Sequence, residues 1–341
     1  MKQFYCQCGQ PVFFDSELCL NCGARLGFDP QGMVMRSLLE TGDGLWTAAG
    51  GEVFRLCDNT VQFDVCNWIR PAEQEHPLCQ ACQFNRTVPD QSLPGNQKRW
   101  QRLEEGKKRL FYTLMQLGLP LENGWEAPDR GLLLDFIEDE RDTSFYPESF
   151  VHTGYLGGVI TINTLEADDL ARETQRLQMN ENYRTVLGHL RHESGHYYWQ
   201  RLNANEDTLA GFRVVFGDER ADYAAALDKY YANGPSPRWR ERYISAYASS
   251  HPSEDWAESW GHYLHIYDAL ETAAAHGLIE RWPNRMDIAE RISVWRNLSI
   301  TLNELNRSVG LSDAYPFLLN TEVERKLTFV DRIISQLQTD S

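Results

Sequence analysis

No cysteine occurs after Cys82, the last of eight. No run of about 18 apolar residues is present, so no membrane-spanning helix and no membrane partner are expected. Positive charge is scarce: 33 Lys and Arg stand against 49 Asp and Glu, a formal net charge of −16. Nucleic acid is therefore not expected as a partner, because phosphate binding needs concentrated Lys and Arg. The first 95 residues hide no basic module either, with 6 Lys and Arg against 11 Asp and Glu. The start, "MKQFYCQCGQ", has no apolar stretch of the kind a secretion signal needs, so a cytoplasmic location is expected. What is present is a chain of 341 residues, 42% hydrophobic and 24% charged. That composition is globular, and the length allows a large core and two or more domains.

The crowding of cysteine into the first quarter marks a separate N-terminal unit. Cys6, Cys8, Cys19 and Cys22 read C-x-C-x10-C-x2-C, two close pairs each followed by glycine. Gly9 and Gly23 permit the tight turns that aim backbone amides at thiolate sulfur. Four thiolates suit tetrahedral zinc. The set looks like a zinc ribbon whose first pair departs from the usual C-x-x-C. Cys57, Cys66, Cys79 and Cys82 read C-x8-C-x12-C-x2-C, a looser spacing that also suits one zinc. The competing readings are two disulfides, which a reducing compartment disfavours, or unpaired buried thiols. Both metals are expected to be structural, since a short segment with little core needs a metal to fold.

Residues 85–100, rich in Pro, Gly and polar side chains, read as a linker. The expected division is a cysteine-rich region over 1–90 and a second domain over 91–341. A helix is expected over about 98–118, with Leu103, Leu110, Leu114 and Leu117 in helical rhythm. "GLLLDFIED" (131–139) and "GGVITINTL" (157–165) read as strands, and from about 168 the pattern is helical. Strands first and helices later predict an α+β fold, mainly helical after a small sheet.

"VLGHLRHESGHYYWQRL" (186–202) carries the chemistry. On a helix His192 and His196 project from one side one turn apart, so two imidazoles can reach one zinc. Glu193 sits one step round, able to take a proton from a metal-activated water. A catalytic zinc needs a third protein ligand. In "HPSEDWAESWGHYLH" (251–265) a helix is expected from 252, with Pro252 in its first turn. Trp256, Trp260, Tyr263, Leu264, Tyr267 and Leu270 form its apolar face, and Glu254, Glu258, His262 and His265 the opposite one. Glu254 can be the third ligand, and Glu258 can accept the N–H of a ligating histidine. The alternative is that these acids are solvated charges. "FGDERADYAAALDKYY" (216–231) offers Asp218, Glu219 and Asp222 instead, Glu219 being the second choice of ligand. His262 and His265 read as structural or surface residues, and His189 as a bystander or a residue behind the ligands.

HESGH followed by a distant E-D-W-A-E resembles the gluzincin metallopeptidases. Ser245, Tyr247, Ala248, Glu254, Ala257 and Glu258 are similar to the S-x-Y-A…E-x-x-A-E pattern of the anthrax-lethal-factor-like branch. That resemblance implies a zincin-like catalytic domain in which Glu254 binds zinc, Glu258 supports a ligand and Tyr247 donates to the developing oxyanion. With its cysteine sets, nearly the whole chain also resembles a bacterial group of zinc-binding metallopeptidases that carry a zinc ribbon. The function expected is hydrolysis of peptide or amide bonds in a peptide or protein, with one catalytic and two structural zincs. The alternative is an inactive zincin-fold scaffold that binds a partner. Zincins hold extended substrate against an edge strand, and "VITINTL" is the expected strand.

Overall fold

The computed structural model describes residues 1–139, 151, 153–178, 181, 183–202 and 204–339. The chain divides into two compact units. One comprises Lys2–Gln116 and Leu121–Asp169; the other comprises Met1, Leu117–Pro120 and Leu170–Ser341. The boundary expected near residue 90 falls inside the first of these. No helix among the described residues is long and apolar enough to cross a membrane.

The first unit holds the strands. β1 (Phe4–Tyr5) and β2 (Pro11–Val12) form a short antiparallel pair. β3 (Arg25–Asp29), β4 (Val34–Gly42), β5 (Leu45–Ala48), β6 (Val53–Leu56) and β7 (Ile69–Pro71) follow. They make an antiparallel sheet in sequence order, with α1 (Asp58–Phe63) between the last two. Leu38, Ala48, Phe54 and Ile69 form its small core. β3 to β6 lie between the two cysteine sets in sequence, and β7 lies within the second set, after Cys57 and Cys66.

A second sheet has the order β10-β11-β9-β8. Its strands are β8 (Asn85–Thr87), β9 (Leu133–Ile137), β10 (Gly154–Leu156) and β11 (Val159–Asn163). Two expectations are corrected here. Residues 85–100 are a linker only over 88–95, because 85–87 pair in parallel with β9 and helix α2 (Asn96–Gln116) begins at 96. A three-residue strand is too short to show alternation. Nor is β11 an edge strand, since β9 pairs with all of it and β10 with Val159–Thr161 on the other side. "VITINTL" therefore cannot receive an extended substrate by strand addition.

Leu103, Leu110, Leu114 and Leu117 are all buried, as the rhythm predicts. The buried side of α2 also carries Tyr112, whose ring packs on Phe14 at 5.5 Å. Phe14 packs in turn on Phe28, and Phe28 on Trp68. The first cysteine-bearing segment, the antiparallel sheet and α2 thus share one aromatic core.

The second unit is helical: α3 (Asp169–Gln178), α4 (Val186–Arg201), α5 (Glu206–Val215), α6 (Tyr223–Asn233), α7 (Pro252–Ala275), α8 (Ile288–Ser308) and α9 (Thr321–Thr339). The order of strands and then helices is the α+β arrangement expected. α7 is its axis, packed against α4, α8 and α9. Trp256, Trp260, Tyr263, Leu264, Tyr267 and Leu270 are buried, but so are Glu254 and His262 on the other side. The solvated-face alternative for that side fails, because α7 has neighbours all round. His251 caps its start by accepting from Ser253 N, and Pro252 occupies the first turn.

Candidate metal centres and active site

The sequence places His192 and His196 on one side of α4, and Thr185 starts that helix by accepting from Gly188 N. Two indoles fix α4 to α7: Trp256 Nε1 donates to Gly195 O at 2.8 Å and Trp260 Nε1 to Ser194 Oγ at 3.0 Å. The Arg191–Asp268 ion pair adds a third tie. A Cβ on Gly195 would lie 3.0 Å from Ala257 Cα, so glycine is what lets the helices approach this closely.

That approach brings His192, His196 and Glu254 together, with one possible ligand atom from each lying within 4.8 Å of the others. His192 Nε2 is 3.0 Å from Glu254 Oε2, and His196 Nε2 is 3.4 Å from Glu254 Oε1. Ligands 2.0–2.1 Å from a tetrahedral zinc sit about 3.3 Å apart along an edge. The donor set and its spacing therefore fit zinc. His192 Nδ1 lies 2.7 Å from Glu258 Oε1. With Nδ1–H given to that carboxylate, Nε2 keeps its lone pair for a metal.

The electrostatics agree. Burial disfavours a charged His192, but Glu254 and Glu258 outweigh it and hold its pKa well above the ordinary value. Burial likewise opposes ionised Glu258, yet the bond with His192 holds its carboxyl at about 2. Glu254 is only 1% exposed and still held well below the carboxylate range by His192 and His196, against its burial. A pocket that keeps two buried carboxylates ionised favours positive charge between them.

Glu193 is buried on α4 beside the ligands. Its charge reaches the Tyr223 and Tyr247 phenols. Tyr247 lies in a 3-10 turn just before α7, its ring 5.9 Å from that of His192. Burial, followed by the Glu254 charge, pushes the Tyr247 pKa far up, so the phenol keeps its proton.

Other candidates lie elsewhere. Glu219 is engaged by Arg213 at 2.5–3.1 Å, Asp218 by Arg220, and Asp222 caps α6. Glu219 is not in the cluster with His192 and His196. His189 is outside the cluster too. His262 Nδ1 meets the Tyr315 hydroxyl at 3.0 Å, and the His265 ring packs on Tyr315 and Trp295. Burial lowers the pKa of both, His262 to about 4. One residue was missed: Tyr223, whose hydroxyl donates to Glu254 Oε1 at 2.9 Å. Its signal was the aromatic spacing 223, 230 and 231 in "YAAALDKYY".

All eight cysteines are free thiols. Cys6 and Cys22 sulfurs are 3.5 Å apart, Cys8 and Cys19 3.6 Å, and Cys66 and Cys79 3.6 Å. A disulfide needs about 2.05 Å, whereas thiolates 2.3 Å from one zinc stand roughly 3.8 Å apart. Both tetrads fit a metal. Gly9 and Gly23 take φ of +84° and +73° and donate to Cys6 O and Cys19 O, closing the expected turns. In the buried second tetrad, Cys79 N donates to Cys57 Sγ and Trp68 N to Cys66 Sγ.

Comparison with known proteins agrees with this geometry. Residues 96–333 match the family described as "Putative zinc-binding metallo-peptidase", and residues 3–93 match a zinc-ribbon domain. The chain belongs to this metallopeptidase family. Uncharacterized proteins of Mycobacterium tuberculosis and Mycobacterium bovis are 37% identical to it, over 100% of this chain and 97% of their own. No solved structure matches. Within the family framework, zinc is the metal on which the donor sets and the matched domains agree.

Proposed function

We propose that this protein is a zinc-dependent peptidase. Its zinc is held by His192, His196 and Glu254, with Glu258 orienting His192. The observation that carries this reading is the meeting of two imidazoles from α4 with one carboxylate from α7 at tetrahedral spacing. When bound there, zinc makes a water acidic and polarises a carbonyl. Glu193 accepts the proton of that water and passes it to the leaving amine. Tyr247, kept protonated by burial and the Glu254 charge, donates to the oxygen that gains charge. Two further zincs in the cysteine tetrads are structural. Eight free thiols suit a reducing compartment, which supports the cytoplasm as location. The substrate is a peptide or protein, and the net charge of −16 argues against nucleic acid.

The test is Glu193→Gln in the full chain, with cleavage of an unstructured peptide mixture followed by mass spectrometry. Activity is expected to fall about 10²–10⁴-fold, the usual effect of losing a general base, with zinc content unchanged. Activity equal to the parent's would end the proposed mechanism. A parent that binds zinc but cleaves nothing would favour the scaffold alternative.

A further inference from the structure

We propose that Tyr223 is a positioning residue of the metal site, acting through Glu254: its hydroxyl occupies one carboxylate oxygen and so keeps that ligand monodentate. The inference rests on the zinc reading above. Glu254 is almost fully buried, and its two oxygens have different neighbours. Oε2 faces His192 Nε2 at 3.0 Å, while Oε1, 3.4 Å from His196 Nε2, also accepts from the Tyr223 hydroxyl at 2.9 Å. A free carboxylate can give a metal either one oxygen or two. A hydrogen bond to a charged acceptor is strong enough to bias that choice. With Oε1 so engaged, the fourth coordination position is kept for water.

Tyr223 is built into this place. It opens α6, whose start is capped by Asp222. The preceding Ala221 O lies 3.1 Å from His251 Nε2, and the same His251 accepts from Ser253 N to cap α7 three residues before Glu254. One imidazole therefore ties the phenol-bearing helix to the ligand-bearing helix. The Tyr223 ring stands edge-on to that imidazole at 5.2 Å. Core packing does not account for the position of α6, because none of its residues is buried. Its polar start and its tyrosines do. The Tyr230 ring of the same helix stands edge-on to that of Tyr247 at 5.9 Å, so α6 also reaches the proposed oxyanion donor.

The experiment uses the full chain with zinc in the cysteine tetrads and cobalt(II) in the His/Glu site. The readouts are the visible cobalt spectrum and zinc affinity in competition with pyridine-2,6-dicarboxylate. Tyr223→Phe is expected to give weaker visible bands, the mark of a five-coordinate ion. Zinc affinity should change about 10-fold or more, as for other partners of metal ligands. Lys229→Ala, an exposed change on the same helix, should match the parent. A Tyr223→Phe protein with the parent's spectrum and affinity would overturn the proposal. So would equal shifts in both variants, which would implicate the helix and not the phenol. A parent that takes up no cobalt at this site would instead sink the zinc reading itself.

Discussion

His262 lies one turn beyond Glu258 on α7, enclosed by Tyr315 and Phe317. Burial lowers its pKa to about 4, although Glu258 pulls the other way. An unfolded histidine titrates near 6.5. The folded pKa is the lower one, so the neutral imidazole contributes stability that is complete above about pH 6.5. That contribution is lost as pH falls toward 4, and the loss by then is roughly 3 kcal/mol. His265 shifts in the same direction, again by burial. Replacing His262 by Gln should flatten the loss of thermal stability between pH 6.5 and 4 relative to the parent, with the metal sites common to both proteins. Parallel stability curves for the two would refute this. The residue scale also separates two kinds of histidine on neighbouring elements: His192, raised by two carboxylates, and His262, lowered by its surroundings.

At the scale of the element, the site depends on how closely α4 and α7 approach. A Cβ on Gly195 would sit 3.0 Å from Ala257 Cα and 3.1 Å from Trp260 Cβ, so the helices would have to part by a few tenths of an ångström. Gly195→Ala should cost about 1–3 kcal/mol by overpacking, partly offset by up to about 1 kcal/mol of helix propensity. Because the imidazoles ride on α4 and the carboxylate on α7, zinc affinity should drop as well. Gly261→Ala is the contrast. Its Cβ would meet His192 N at 3.4 Å, an ordinary contact, and the variant should keep both stability and affinity. Denaturant midpoints and chelator competition on the two variants would measure this, and equal losses would refute it. The same elements explain what could be read from the sequence. HESGH, the cysteine pairs and the leucines of α2 are local patterns, set by helical period or turn chemistry. The parallel pairings of β8 with β9 and of β9 with β11 join segments distant in sequence, which no local window contains. α7 carries an amphipathic pattern yet is covered on both sides, since its polar side faces the ligands of α4. Tyr223 is not legible in the sequence because its role comes from a hydrogen bond to Glu254, 31 residues away, which only the fold creates.

For the whole molecule, the two compact units divide the metal chemistry: two cysteine tetrads in one, the His/Glu cluster in the other. The tetrads differ in their surroundings. Cys8 and Cys22 are exposed, whereas Cys57, Cys66, Cys79 and Cys82 are all buried. The buried tetrad stands against α2. Cys82 Sγ approaches Glu104 at 3.8 Å, Lys107 pairs with Glu104 at 2.8 Å, and Lys108 donates to Asn67 at 2.9 Å. Burial opposes charge on both lysines, but Glu104 raises Lys107 and Cys66 raises Lys108 above the ordinary value. Four thiolates around one divalent ion leave two negative charges and Glu104 adds a third, so the two buried ammonium groups beside them offset two of the three. The second tetrad is therefore part of the core it shares with α2, and its metal should leave only when that core opens. Treating the full chain with a chelator and a thiol-reactive dye under native conditions should label Cys6, Cys8, Cys19 and Cys22 first. Cys57, Cys66, Cys79 and Cys82 should follow in a slower phase that tracks unfolding and disappears into the first once denaturant is added. Peptide mapping of the dye identifies the phases, and labelling of all eight thiols in one native phase would show that the second tetrad is not sealed by α2.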